Sequence, residues 1–211
     1  MTDSNKTLVA ALLDRSGSME TSKSATEDGW RELINGQRQQ PGECQVTLAQ
    51  FDTVYEVVYS PTDIADVPEF VVQPRGMTAL LDAAGRFITE IGEQLSALPE
   101  ADRPGHVICL IMTDGMENSS TEWTWDALQK LTKQQQEQWG WTFIFLGANI
   151  DAIEVGGRMG IDARTSLTYD DSDYEATRGS MRIAREMVSG VRAGMPVGFS
   201  DEDRDVAMGR S

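Results

Sequence analysis

The chain has 211 residues, 40% of them hydrophobic, with 18 Lys and Arg against 34 Asp and Glu and a formal net charge of -16. That length and apolar content fit one globular domain of ordinary size with a full core, and they argue against a disordered chain. The acidic balance repels nucleic-acid phosphates and anionic membranes, so neither is an expected partner, whereas cations and basic groups are tolerated.

The first predicted strand is TLVAALL, residues 7–13, and it runs straight into Asp14, Arg15, Ser16, Gly17 and Ser18. TEDGWRELINGQRQQ follows as a helix that ends near Pro41 and Gly42. CQVTLAQF and VYEVVYS read as two strands joined by a tight turn at Asp52-Thr53, which makes them a hairpin. A loop holding Pro61, Pro68 and Pro74 leads into PRGMTALLDAAGRFITEIGEQL, where Leu80, Leu81, Ala84, Phe87, Ile88, Ile91 and Leu95 recur at helical spacing. HVICLIM, residues 106–112, is a continuous apolar run and reads as a strand buried on both faces. TEWTWDALQKLTKQQQEQW is a predicted helix and WTFIFLG a strand. Residues 151–160 suggest a short helix, ARTSLTY a last short strand and residues 171–193 a final helix. Residues 1–193 are thus expected to form one domain. Residues 194–211 show no periodicity and are expected to form a flexible tail.

No apolar run approaches the ~20 residues that a membrane helix needs. The opening MTDSNKT carries one Lys and precedes too short an apolar run to suggest a signal peptide. Cys44 and Cys109 read as free thiols in a reducing compartment, which points to the cytoplasm. There is no CxxC and His106 is the only histidine, so zinc chemistry is not expected.

Strands alternating with helices imply an α/β sheet with helices on both faces, and the hairpin adds one antiparallel strand at an edge. In such a sheet ligands bind beyond the carboxyl ends of the strands, where the strand order reverses. DRSGS follows the first strand there, and Thr113-Asp114-Gly115 follows HVICLIM. GMTALLDA places Thr78 at a helix entrance. Each segment alone reads as a helix cap, because Asp, Ser and Thr oxygens accept from free backbone amides. Three of them in the right class of loop read as a metal site. Hydroxyls and carboxylates are hard oxygen donors suited to Mg²⁺ or Mn²⁺, and two carboxylates balance one divalent cation. Gly17 and Gly115 are expected to let the backbone turn tightly around the ion.

DxSxS after the first strand, a later Thr in a GxTxLxDA-like context and TDG after a following strand resemble the metal-ion-dependent adhesion site of the von Willebrand factor type A (vWA) domain. Asp14, Ser16, Ser18, Thr78 and Asp114 occupy its five positions, in order, and the resemblance covers roughly residues 6–193. PRGMTALLDA, LIMTDGMEN and FIFLGANIDA look like small stand-alone bacterial and phage members. The resemblance implies a Rossmann-like, doubly wound, mostly parallel sheet with one antiparallel edge strand. It also implies a metal-dependent protein-binding module in which a partner's Asp or Glu completes the ion's shell. Small members of the family often act as adaptors, so an AAA+ ATPase or a host protein is an implied partner. The chain itself is expected to be a monomer or to self-associate weakly.

Glu117, Asn118, Asn149 and Asp151 could rim the same edge, although ordinary loop or capping roles are the favoured reading. Of Trp123 and Trp125, two apart near a helix start, one is expected to stand exposed beside the metal. Trp139 and Trp141 are expected to be partly in the core. GGRMG at 156–160 reads as a turn. The alternative function is a Mg²⁺-dependent phosphohydrolase of Rossmann-like fold. Haloacid-dehalogenase-like phosphatases usually carry a second acid two residues after the first Asp, and that position is Ser16 here. A serine hydrolase would need GxSxG and a histidine at the carboxyl edge, and His106 precedes its strand. The chain is therefore not expected to be an enzyme.

Overall fold

A computed structural model describes residues 2–210. Six strands form one sheet: β1 (Asp3–Asp14), β2 (Glu43–Phe51), β3 (Tyr55–Asp63), β4 (Pro104–Thr113), β5 (Thr142–Ala148) and β6 (Ser166–Tyr169). Their order is β3-β2-β1-β4-β5-β6. All neighbours run parallel except β2 and β3, whose antiparallel pairing makes the predicted hairpin an edge of the sheet. Among the described residues six α-helices cover it: α1 (Lys23–Arg38), α2 (Leu80–Ala97), α3 (Trp125–Trp139), α4 (Ala152–Arg158), α5 (Tyr174–Arg192) and α6 (Asp201–Ala207).

The central strands are apolar along their buried stretches because both of their faces are covered there. In β1 the side chains of Val9, Ala11 and Leu13 join one core layer with Trp30, Leu33 and Met181. Leu8, Ala10 and Leu12 join the opposite layer with Leu80, Phe87 and Ile88. In β4, Ile108, Leu110 and Met112 alternate with Val107, Cys109 and Ile111 in the same way. Gly29 lets α1 approach α5 closely, since a Cβ there would come within 2.6 Å of Met181. Cys44 and Cys109 are buried and free, as expected. Among the described residues no helix is long and apolar enough to cross a membrane.

Several expectations need correction. Strand β1 starts at Asp3 rather than at residue 7, because ladder pairing with β4 uses backbone groups and tolerates the polar DSNK start. Pro61 lies inside β3, not in a loop, at an edge strand where its missing N–H breaks no essential bond. Gly156 to Arg158 of the predicted turn belong to α4.

The largest correction concerns the predicted tail. Residues 201–207 form α6, opened by a reciprocal capping box between Ser200 and Asp203. Phe199 and Ala207 are buried in the core, and Val197 and Val206 pack against it. The Phe199 N–H donates to the Arg164 carbonyl at 2.8 Å, and the Asp170 N–H donates to the Ala207 carbonyl at 2.9 Å. The stretch buries isolated apolar side chains rather than a periodic stripe, so it carries no amphipathic signal. Met1 and Ser211, at the two ends of the predicted domain and tail, lie outside the described residues.

Candidate metal centre at the carboxyl edge of the sheet

The strand order of the sheet places β1 and β4 side by side, although α1, β2, β3 and α2 lie between them in sequence. The connections leave this pair toward opposite faces, so a crevice opens where both strands end. Asp14 is the last residue of β1, and Asp114 follows the last residue of β4.

The predicted residues converge there. The Ser18 hydroxyl donates to Asp114 Oδ1 at 2.7 Å, and Ser16 Oγ lies 3.1 Å from Ser18 Oγ and 3.4 Å from the same carboxylate oxygen. The Ser16 N–H donates to Asp14 Oδ1 at 2.6 Å. Thr78 is drawn in around Gly115: a Cβ on this glycine would stand 3.5 Å from Thr78 Oγ1 and 3.7 Å from Ser18 Oγ. Asp14, Ser16, Thr78 and Asp114 are buried, and Ser18 is exposed at the opening.

The capping alternative fails for Thr78. It does not cap α2, whose N-cap is Ala79 with no side-chain cap. That helix start is instead satisfied from another loop: the Leu81 N–H donates to Glu117 Oε2 at 3.0 Å, and the Ser120 hydroxyl accepts from Leu81 and Asp82. Thr78 Oγ1 is thereby left for the crevice. Ser16 and Ser18 also cap nothing through their side chains, though Ser16 holds the N-cap position of a short 3₁₀ turn over residues 17–20.

The electrostatics fit an oxygen site that wants a cation. Burial pushes the Asp14 carboxyl up to about 6, helped by the nearby Asp114 charge and opposed by hydrogen bonds from Thr113 and Ser16. Burial likewise raises Asp114, as does Asp171, against the Ser18 and Ser16 hydroxyls. Among the described residues neither carboxylate forms an ion pair, and Asp114 Oδ2 is buried without a hydrogen-bond partner. A divalent cation would satisfy that oxygen and relieve both charges, so the donor set suits Mg²⁺ or Mn²⁺. Among the described residues no group of three or more His, Cys, Asp or Glu side chains is arranged to hold a metal ion, which leaves neutral hydroxyls to complete the set.

Arg15 stands between two of these residues yet turns away from them. Its Nε donates to Asp52 at 2.9 Å and its Nη1 to Glu56 at 2.6 Å, while Arg75 reaches the same Asp52 oxygen at 2.8 Å. Burial alone would raise Asp52, but Arg75, the Val54 N–H and Arg15 hold its carboxyl below the usual range. This ion cluster, buried at Arg15 and Asp52 and exposed at Glu56 and Arg75, ties the loop after β1 to the turn after β2.

Thr113 was missed as a supporting residue, and Asn118 and Asn149 do more than the favoured loop or capping role. The Thr113 hydroxyl donates to Asp14 Oδ2 at 2.5 Å. Its place before Asp114 in TDG was the available signal. Asn118 grips Thr78 twice, accepting its N–H at Oδ1 and donating its own N–H to the Thr78 carbonyl, both at 3.0 Å. Asn149 takes a left-handed conformation (φ 56°) and its amide donates to the Asp114 carbonyl at 3.2 Å and to Asp171 at 2.9 Å. These two asparagines brace the site, whereas Glu117 and Asp151 are the helix-start acceptors that were favoured for them.

Other expectations are corrected here. Gly17 and Gly115 do not have positive φ, so neither is needed for a tight turn; Gly76 does, at 72°, and it receives the Gly17 N–H at 3.3 Å. Gly115 matters through the space it leaves. Trp123 and Trp125 are both half-buried rather than one standing free: Trp123 lies on Gly85 of α2, and Arg158 stacks 3.8 Å over the Trp125 ring. Trp141 is buried against Phe143, but Trp139 is largely exposed.

No protein-family model matches the sequence, and no curated protein matches it significantly. Solved structures with a similar fold include a von Willebrand factor type A protein from Catenulispora acidiphila, at 18% identity and a TM-score of 0.60, covering 88% of this chain and 43% of that one. The vWF domain of the type V pili tip protein Mfa5 from Porphyromonas gingivalis matches at 10% identity and 0.59, covering 93% and 98%. The pilus adhesin SpaC from Lactobacillus rhamnosus GG matches at 13% identity and 0.61, covering 87% and 30%. The chain thus spans less than half the length of the Catenulispora and SpaC chains. The fold is that of a vWA domain: a Rossmann-like sheet, mostly parallel, with one antiparallel edge strand and helices on both faces.

Proposed function

We propose that the chain is a metal-dependent protein-binding module that uses Mg²⁺ or Mn²⁺ and has no enzymatic activity of its own. Asp14, Ser16, Ser18, Thr78 and Asp114 would hold the ion. The observation that carries this reading is the buried, partnerless Asp114 Oδ2 within a group of converging hydroxyls and carboxylates. The ion would supply a fixed positive docking point for a carboxylate on a partner. Asp14 and Asp114 provide the negative charge that retains it, Thr113 and Asn149 orient those two residues, and Asn118 sets the position of Thr78. The resemblance to vWA domains, among them pilus adhesins, supports a binding role. The two buried free thiols fit the expected cytoplasmic setting. Nothing favours the phosphohydrolase alternative: Ser16 stands where the second acid would be, and Arg15 is engaged by Asp52 and Glu56.

Thermal unfolding tests the reading. Mg²⁺ or Mn²⁺ should raise the melting temperature by mass action. Asp14→Ala and Asp114→Ala should each remain folded and lose that increase. A full metal-dependent shift in both variants would remove these residues from the site.

A further inference from the structure

We propose that the rim of this centre selects a single carboxylate flanked by apolar side chains, carried on a partner loop or peptide, over an acid-rich run. The inference rests on the proposed metal site and concerns what approaches it. Three loops surround the opening, and each presents an exposed apolar side chain: Val54 (53% exposed), Met77 (56%) and Met116 (71%). Met77 directly precedes Thr78, and Met116 directly follows Gly115. Val54 closes the turn between β2 and β3, whose Asp52 and Thr53 lie against Gly76; a Cβ there would meet them at 3.3 and 3.5 Å. Gly76 in turn accepts the Gly17 N–H, so the loops abut one another around the crevice.

Apolar side chains at such positions gain free energy only when something covers them. Methionine suits this task, because its unbranched thioether adapts to varied apolar surfaces. Charge sets the other half of the preference. On the β2–β3 side of the rim Arg15 and Arg75 pair with Asp52 and Glu56, whereas Asp171 adds negative charge beside Asp114. The chain as a whole carries -16, and that field opposes a partner segment with several acids. One carboxylate for the ion, with apolar neighbours for Met77 and Met116, satisfies both conditions.

Panning a random-peptide display library on the full chain in Mg²⁺ tests this, with Mg²⁺ affinity measured separately by calorimetry. Recovered peptides should hold one Asp or Glu with an apolar residue within two positions, and EDTA should release them. The double variant Met77→Ser/Met116→Ser should bind these peptides about tenfold more weakly and bind Mg²⁺ as before. Recovery of acid-rich runs without apolar neighbours, undiminished binding by the double variant, or failure to recover any Mg²⁺-dependent peptide although Mg²⁺ binds would overturn the inference. A chain that binds neither Mg²⁺ nor Mn²⁺ would instead bring down the proposed function, and this inference with it.

Discussion

Asp14 is the residue in which fold and site compete most directly. Its carboxyl, raised from 3.8 to about 6, keeps its proton to higher pH in the metal-free chain than an ordinary carboxyl does. A folded-state value above the unfolded one contributes stability that is complete below the unfolded value and is lost as pH rises through the folded one. The contribution of Asp14 should therefore be lost between about pH 4 and pH 7, which chemical denaturation of wild type beside Asp14→Asn in EDTA will reveal. Asp14→Asn, which mimics the neutral carboxyl, should be at least as stable as wild type at pH 7.5 in EDTA and should bind no Mg²⁺. The metal works in the opposite sense, since only the ionised carboxylate is a ligand. The Mg²⁺-dependent rise in melting temperature should be small at pH 5 and grow as pH passes about 6. A rise of equal size at both pH values would show that Asp14 is not a ligand.

The elements that hold these residues are coupled through one loop. Residues 115–124 are latched to the start of α2 by Asn118 on Thr78, by Glu117 on Leu81 and by Asp82, which accepts the N–H groups of Thr121, Glu122 and Trp123. Asn118→Ala removes the acceptor for a buried-side N–H and frees Thr78 to drift. Calorimetry should show Mg²⁺ affinity falling by roughly tenfold or more, as for other residues that orient ligands, while the melting temperature in EDTA changes little. Loss of stability without loss of affinity would make the latch structural only. The proposed ligands stood out because Asp, Ser and Thr directly after strand-like runs are uncommon as a set. The latch was not, because Asn118 and Glu117 are ordinary loop residues until the fold brings residues about 40 positions apart together. The same holds for Asp52, whose partner Arg15 fills a position that the DxSxS motif leaves open.

At the scale of the molecule, the sheet was readable from its alternating elements. The central strands are continuous apolar runs, and the hairpin lies where Asp52-Thr53 suggested. The closing segment was not readable, because Phe199, Val206 and Ala207 make their contacts singly. Truncating a well-buried Phe costs about 3 kcal/mol or more, so deleting residues 196–211 should lower the melting temperature by roughly 6–12 °C in a chain of this size. An unchanged melting temperature would show that the segment contributes nothing to the core. The net charge also acts globally: binding to DNA or RNA at physiological salt should be undetectable by gel shift, and tight, salt-sensitive binding would reveal a concentrated basic face.

The two sides of the sheet differ in how they end. At β3 the backbone is open, blunted by Pro61 and by register shifts against β2. At β6 the closing segment covers the strand, with Arg204 donating to the carbonyls of Ser166 and Ala163 at 3.0 Å. A sheet with one free margin can add a copy of itself once, to give a closed pair, and then growth stops. A sheet with two free margins can add copies without limit. The segment after Gly194 thus leaves the sheet a single open margin, and removing it would uncover the β6 backbone as a second edge.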